Sequence, residues 1–201
     1  MALDVVNTAS STRNLQAPAG SDIDAFAMAR VLDAARLESG RPLLDLLSES
    51  PVLLVFLRHA GCTFCREALA DIADVRSAIE ADGTRIVLVH MGDQAEIEAV
   101  VQRYGVQDLD RVADPGQQLY RAFGLKQGNW WQLLGPKTWW RGLIAGWARG
   151  HGVGKPVADA SQMPGVFLID KGMVISRYRH TSAADRPSYI EICELGRRDS
   201  A

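Results

Sequence analysis

The chain has 201 residues and a mass of 21.9 kDa, and its 22 Lys+Arg against 24 Asp+Glu leave a formal net charge of −2. That balance excludes a protein built to grip nucleic acid by bulk charge. The length suits one domain, and 47% hydrophobic with 23% charged residues is ordinary globular composition. No apolar run reaches the roughly 18 residues of a bilayer span, so no transmembrane segment is expected. Met1 to Gly20 holds no apolar stretch of the secretory type. Three cysteines exclude a disulfide scaffold and point to a reducing, cytoplasmic setting.

Residues 1–20 are rich in Ser, Thr, Ala, Asn and Pro and are expected as a flexible tail, with one domain over 21–201. Phe26, Val31, Ala34 and Leu37 form a helical stripe ending at Gly40, and a shorter helix follows from Pro42 to Leu47. Pro51 breaks the pattern. The run Val52 to Leu57 then reads as a strand buried on both faces. Cys65, Leu69, Ile72, Val75 and Ile79 share one helix face, closed by Gly83. A second buried strand runs from Arg85 to His90. Asp93 is an N-cap for a helix carrying Ile97, Val100, Val101 and Tyr104, closed by Gly105. Asp114-Pro115-Gly116 is a turn, and a short helix covers Gln118 to Phe123. Val166 to Ile169 is a third apolar run, paired as a hairpin with Met173 to Arg179 across Asp170-Lys171-Gly172. Pro187 opens a last helix with Ile190, Ile192 or Cys193, and Leu195 inward. This order predicts an α/β domain with a mixed sheet between helices.

An insertion at about 127–160 interrupts that order. It holds all five tryptophans, Trp130, Trp131, Trp139, Trp140 and Trp147. It has six basic neighbours and no acid between Asp114 and Asp159. Trp and Arg are enriched where proteins meet, so the segment reads first as a lid over an apolar substrate pocket or as a subunit interface of a homodimer. An interfacial membrane helix and a single-strand stacking surface are the other two readings. On charge grounds no nucleic-acid partner is expected.

Cys62-Thr63-Phe64-Cys65 is the motif with direct chemical meaning. It stands where a buried strand passes into a helix. The unpaired amides of a helix N-terminus stabilise an anion, and the thiolate is the reactive form of cysteine. Arg58 and Arg66 flank the pair and add positive potential. The two sulfurs can meet within one turn, so a reversible disulfide is geometrically reasonable. A structural zinc would need a second ligand pair, and Cys193 with His59, His90, His151 and His180 supplies no such spacing. A pair of inert core cysteines is the remaining reading. Cys193, among Ile190, Ile192 and Leu195, reads as a core residue. His59 and His90 end strands on the side where an active site would lie, and read as polar strand-end residues or proton shuttles. Arg177, Arg179 and Arg186 could orient an anion, although alternate residues of an edge hairpin usually face water. Asp185 and Arg186 read as a cap for the last helix.

The stretch Val55 to Glu67, with Cys62 and Cys65 at its centre, resembles the active-site stretch of peroxiredoxin-like proteins. These belong to the alkyl hydroperoxide reductase / thiol-specific antioxidant (AhpC/TSA) superfamily, in its CxxC-containing branch. Asp114-Pro115-Gly116 with Phe123-Gly124-Leu125, Gly165 to Gly172, and Ala184 to Pro187 resemble its later segments. The resemblance implies a thioredoxin-like fold and thiol-dependent reduction of hydroperoxides or disulfides. It also implies an external thiol reductant of the thioredoxin or glutathione type and no cofactor, with Arg58, Thr63 and a cis Pro164 supporting the catalytic Cys62 and Cys65. Aligned on Cys65, the family's usual Pro is Arg58 here and its usual Thr is Cys62. Its active-site Arg is replaced by Pro164. The expected cycle closes a Cys62–Cys65 disulfide, with Cys62 attacking first on a disulfide and Cys65 on a peroxide. The rival function is a non-catalytic binding or redox-sensing protein that uses the Trp-rich insertion as its partner surface.

Overall fold

A computed structural model describes residues 15–16, 25–58, 62–127, 161–181 and 185–198. His59, most of residues 1–20, and the insertion with Trp130, Trp131, Trp139, Trp140 and Trp147 lie outside the described residues. So do the expectations attached to them.

In chain order the elements are β1 (Leu15–Gln16), α1 (Ala25–Ala34), α2 (Leu43–Glu49), β2 (Val52–Phe56), α3 (Thr63–Ala81), β3 (Arg85–His90), α4 (Gln94–Arg103), β4 (Asp110–Ala113), α5 (Gln118–Ala122), β5 (Gly165–Asp170), β6 (Met173–Arg179) and α6 (Tyr189–Arg198). The six strands form one sheet in the order β1-β6-β5-β2-β3-β4. β2 and β3 pair in parallel, as do β3 and β4, while β5 runs antiparallel to β2 and to β6.

Successive strand side chains point to opposite faces, and the central strand shows why it is apolar throughout. Val52, Leu54 and Phe56 pack with Leu32, Leu43, Leu46, Tyr120 and Phe123 on one side. Leu53 and Val55 pack with Leu69, Ile72, Val101 and Ile192 on the other. The sheet therefore separates α1, α2 and α5 from α3, α4 and α6. Within the first layer the Phe56 ring lies 5.0 Å from Tyr120, 5.2 Å from Phe123 and 5.6 Å from Phe167. Asp93 caps α4 as expected, its carboxylate accepting from the Ala95 amide at 2.8 Å. Gly83 follows α3 at φ +79, in the left-handed region that glycine enters freely.

Four expectations are corrected. β4 was not foreseen; of Asp110, Arg111, Val112 and Ala113 only Val112 is buried, so no apolar run marks it. The first helix ends at Ala34, before Leu37, and turns Met28 and Leu32 inward while Phe26 is 74% exposed. On α6 the buried residues are Tyr189, Ile192, Cys193 and Gly196, and Ile190 faces outward. Arg177 is buried rather than solvent-facing, because Leu15–Gln16 pairs with Tyr178 and Arg177 and takes the edge from β6.

Gly165, at the start of β5, has no room for a side chain. A Cβ there would stand 2.6 Å from Leu125 Cδ2 and 3.3 Å from the Tyr178 carbonyl. Gly165→Ala is expected to lower stability by about 1–3 kcal/mol through overpacking, measured by urea unfolding of the reduced protein.

Candidate active site

β2 delivers Arg58 to the carboxyl end of the sheet, and Cys62 is the N-cap of α3 with an extended backbone. This is the strand-to-helix junction that the motif required. Cys62 and Cys65 are both buried, at 6% and 4% exposure, and both are free thiols.

Arg58 is the organiser. Its backbone amide donates to Cys65 Sγ at 3.1 Å, and its guanidinium Nη1 stands 3.6 Å from Cys62 Sγ. The same guanidinium is anchored by Nε, which donates to the Gln162 carbonyl at 3.1 Å. A hydrogen bond from the Cys65 thiol is the largest influence pulling the Cys62 pKa down to about 6, helped by the Arg58 charge and by the amides of Cys65 and Phe64. The amides are the expected anion-stabilising action of a helix N-terminus. Burial, and then the neighbouring Cys62, hold the Cys65 thiol well above its ordinary range. One sulfur is thus poised as thiolate and the other as proton-bearing thiol.

Thr63 opens α3 and is buried. Pro164 lies in the wall of a narrow cleft that also reaches Phe64, Cys65, Val166 and His180. Among the described residues no peptide bond is cis, so Pro164 is trans, against the implied geometry. Farther along the same cleft Arg186 ties α3 to the segment before α6. Its Nε donates to Asp71 Oδ2 at 2.8 Å, and its Nη1 lies 3.5 Å from Glu67 Oε1. Asp185 accepts from the Thr181 amide and hydroxyl at 2.6 and 2.8 Å. Neither residue caps the last helix; Ser188 does, accepting from the Glu191 amide at 3.3 Å.

His90 does not line the cleft. It is 1% exposed and its Nε2 lies 2.9 Å from Glu38 Oε1, while Arg111 Nε donates to Glu38 Oε2. Cys193 sits in the core, its thiol pushed up to about 11 by burial. Arg179 donates to the Phe123 carbonyl at 2.9 Å. Among the described residues no group of three or more His, Cys, Asp or Glu could hold a metal ion, and no helix is long and apolar enough to cross a membrane.

The family described as AhpC/TSA antioxidant enzyme matches residues 71–183, more than half of the chain. The chain belongs to the AhpC/TSA antioxidant family. The matched span begins on α3, after Cys62 and Cys65, and ends beyond β6. The fold agrees with it: peroxiredoxin Q of Xanthomonas campestris superimposes with a TM-score of 0.59 at 16% identity, covering 90% of this chain and 98% of that one. Peroxiredoxin-like 2C of Bos taurus is 30% identical over 102 residues, 49% of this chain and 42% of that protein. The chain thus spans about two fifths of that relative's length. A prostamide/prostaglandin F synthase of Danio rerio is 29% identical over 153 residues, 74% of this chain and 75% of that one. This AhpC/TSA chain is a peroxiredoxin-like protein with a thioredoxin-type fold.

Gln162 is the positioning residue the sequence reading missed. It is 1% exposed, and its side-chain amide donates to the Leu125 and Met163 carbonyls at 3.1 and 3.2 Å. That clamp fixes the carbonyl on which Arg58 rests. Gln162→Ala leaves these buried carbonyls unsatisfied and is expected to cost about 1–3 kcal/mol. It also releases the guanidinium, so the ionisation of Cys62 should move up from about 6. The pH dependence of iodoacetamide alkylation, read by intact mass, checks the shift.

Proposed function

We propose that the chain is a thiol oxidoreductase that reduces a hydroperoxide or a disulfide through a Cys62–Cys65 dithiol. The observation that carries this reading is the placement of the two sulfurs at the start of α3, with Arg58 Nη1 3.6 Å from Cys62 Sγ and the Arg58 amide donating to Cys65 Sγ at 3.1 Å, a setting that splits the pair by lowering Cys62 and leaving Cys65 high. For both substrates the split favours Cys62 as the first nucleophile, whereas the sequence pattern alone assigned peroxide attack to Cys65. With a peroxide, the Cys62 thiolate attacks one oxygen, the O–O bond breaks, and the alcohol leaves with a proton. The sulfenic acid on Cys62 is then attacked by Cys65, which displaces water and closes the disulfide. An external thiol of the thioredoxin or glutathione type returns two electrons. No cofactor enters these steps. The cycle needs a reducing compartment, and the cytoplasm is the one proposed.

The Danio rerio relative is named for prostamide and prostaglandin F synthesis. A prostaglandin-type endoperoxide therefore belongs beside hydrogen peroxide and a small disulfide among the substrates to try. The Trp-rich insertion is proposed as the lid or homodimer surface, and Trp130, Trp131, Trp139 and Trp140 as its contact residues.

The test is peroxide titration of the reduced protein in three forms: wild type, Cys62→Ser and Cys65→Ser. A sulfenic-acid trap is present and intact mass is the readout. Wild type should lose two hydrogens, and only Cys65→Ser should accumulate the trapped adduct. If all three stay reduced, the peroxidase arm is rejected; if small disulfides also leave them unchanged, the enzyme reading fails and a partner-binding role replaces it.

A further inference from the structure

Arg58 meets the two sulfurs in two ways, by its guanidinium at Cys62 and by its backbone amide at Cys65. That amide shares one planar peptide unit with the carbonyl of Leu57. The amide end donates to Cys65 Sγ at 3.1 Å, and the carbonyl end accepts from the Tyr120 hydroxyl. The hydroxyl also lies 3.0 Å from the Val89 carbonyl. It has one proton, and Val89 already accepts from the Leu57 amide at 2.9 Å, so the proton goes to Leu57. Tyr120 stands on α5 with its ring fully buried and edge-on to Phe56 at 5.0 Å. Asp114 seats the start of that helix, accepting from the Gln118 and Leu119 amides at 2.9 and 2.8 Å. Burial pushes the phenol's ionisation far above its ordinary range, so the hydroxyl stays a donor. A chain of donors thus runs from Tyr120 through the Leu57–Arg58 peptide to the Cys65 sulfur.

We infer that Tyr120 is a positioning residue for closure of the disulfide: it holds and polarises the Leu57–Arg58 peptide, whose amide stabilises the charge that Cys65 acquires as it attacks Cys62. This role rests on the dithiol cycle above. In the reduced protein the Cys65 thiol donates to Cys62. Once Cys62 is modified, Cys65 must itself become the nucleophile. Its proton passes to water, and its thiolate forms the S–S bond as the bond from Cys62 to its oxygen or sulfur leaving group breaks. The leaving group carries off that electron pair and takes up a proton. The Arg58 amide matters most at this moment, because a hydrogen bond to an ion is about twice as strong as one between neutral groups. A donor on the carbonyl strengthens the N–H at the other end of the same peptide, since bonds in a chain polarise one another, and it keeps the peptide plane from turning. Cys62 draws its activation from other donors, the Cys65 thiol, the Arg58 charge and the amides of Cys65 and Phe64. Tyr120 therefore acts on the second step of the cycle and not on the first.

The reduced full chain is treated with one equivalent of methyl methanethiosulfonate over a range of pH, quenched in acid at intervals and weighed. Attack by Cys62 expels methanesulfinate and leaves a methylthio adduct, and closure by Cys65 expels methanethiol. Wild-type closure should rise about tenfold per pH unit, as the thiolate fraction of Cys65 does. Cys62 and Arg58 face Cys65 directly. Asp71, His180, Asp185, Arg186 and Tyr189 share its cleft, and Asp114 stands behind Tyr120. Tyr120→Phe leaves all of these groups in place and keeps the ring against Phe56. In that variant closure should be about tenfold slower along the whole rising limb. Adduct formation should stay within about twofold of wild type, with its inflection still at about 6. Tyr120→3-fluorotyrosine keeps the shape of the side chain and makes its hydroxyl a stronger donor, so closure should be about twofold faster than in wild type. This second variant decides the matter even if Tyr120→Phe does not fold. Closure in Tyr120→Phe within about twofold of wild type overturns the assignment, as does equal slowing of both steps. Closure no faster than wild type in the fluorotyrosine protein overturns it too. A purely structural role would give one of the last two results. A wild-type adduct that never closes overturns the dithiol cycle as well, so the two failures are told apart.

Discussion

Cys62→Ser is expected to abolish turnover, because no other described thiol is poised to ionise near neutrality. Cys62 is drawn down to about 6, whereas Cys193 is pushed up to about 11 and Cys65 lies well above its ordinary range. A thiol of pKa near 6 is about nine-tenths ionised at pH 7, against about 3% for an ordinary cysteine. The attack rate of the wild type should therefore climb tenfold per unit below pH 6 and level off above it, as the thiolate fraction does. Arg58→Met removes the cation 3.6 Å from Cys62 Sγ while leaving the backbone donor to Cys65 in place. Its inflection should move up, and its attack rate at pH 7 should fall by up to about thirtyfold, the ratio of the two thiolate fractions. Stopped-flow consumption of the substrate across pH checks both variants. An unmoved inflection in Arg58→Met would assign the activation of Cys62 to the helix amides and Cys65 alone.

Phe56→Ala is the substitution expected to cost most stability, about 3–5 kcal/mol. The ring is 1% exposed and meets Tyr120, Phe123 and Phe167, so truncation opens a cavity among three rings that cannot close in together. Set against a typical total of about 5–15 kcal/mol, that loss leaves a marginal fold. Phe56 also ends β2, two residues before Arg58. Tyr120, whose hydroxyl engages the Leu57 carbonyl and lies 3.0 Å from that of Val89, fixes the same strand end. Activity at a temperature where the variant is still folded should therefore fall too. Urea unfolding with the cysteines reduced gives the stability change.

The central sheet was legible because its code is local. Val52–Phe56 and the Ile86 to Val89 centre of β3 are continuous apolar runs, and Gly165–Asp170 with Met173–Arg179 flank a turn. The N-terminal position of Cys62 on α3 followed from the same junction. What escaped depends on partners far along the chain. Arg58 meets Gln162 across 104 residues, a separation no periodicity reports. Arg177 looked like an edge residue until Leu15–Gln16 covered it. β4 carries one buried side chain and no pattern, and exists because β3 offers a free parallel edge. Phe26 and Ile190 fit a helical stripe, yet the rotation of each helix against the sheet set Met28 and Ile192 inward instead.

The strand order has a consequence for the nascent polypeptide. β2, β3 and β4 all lie within the first 113 residues and can pair as they leave the ribosome, but β2 is completed on its other side only by β5, which begins at Gly165. Such non-local pairing is slow, because the loop must close before the contact repays it. Until then Gln162 has not docked on Arg58, the cleft wall of Pro164 and His180 is missing, and the guanidinium is not held beside Cys62. Translation therefore exposes the two cysteines early and finishes arming them late, and a ribosome-bound chain stalled before residue 160 should carry a Cys62 less reactive at neutral pH than that of the finished fold.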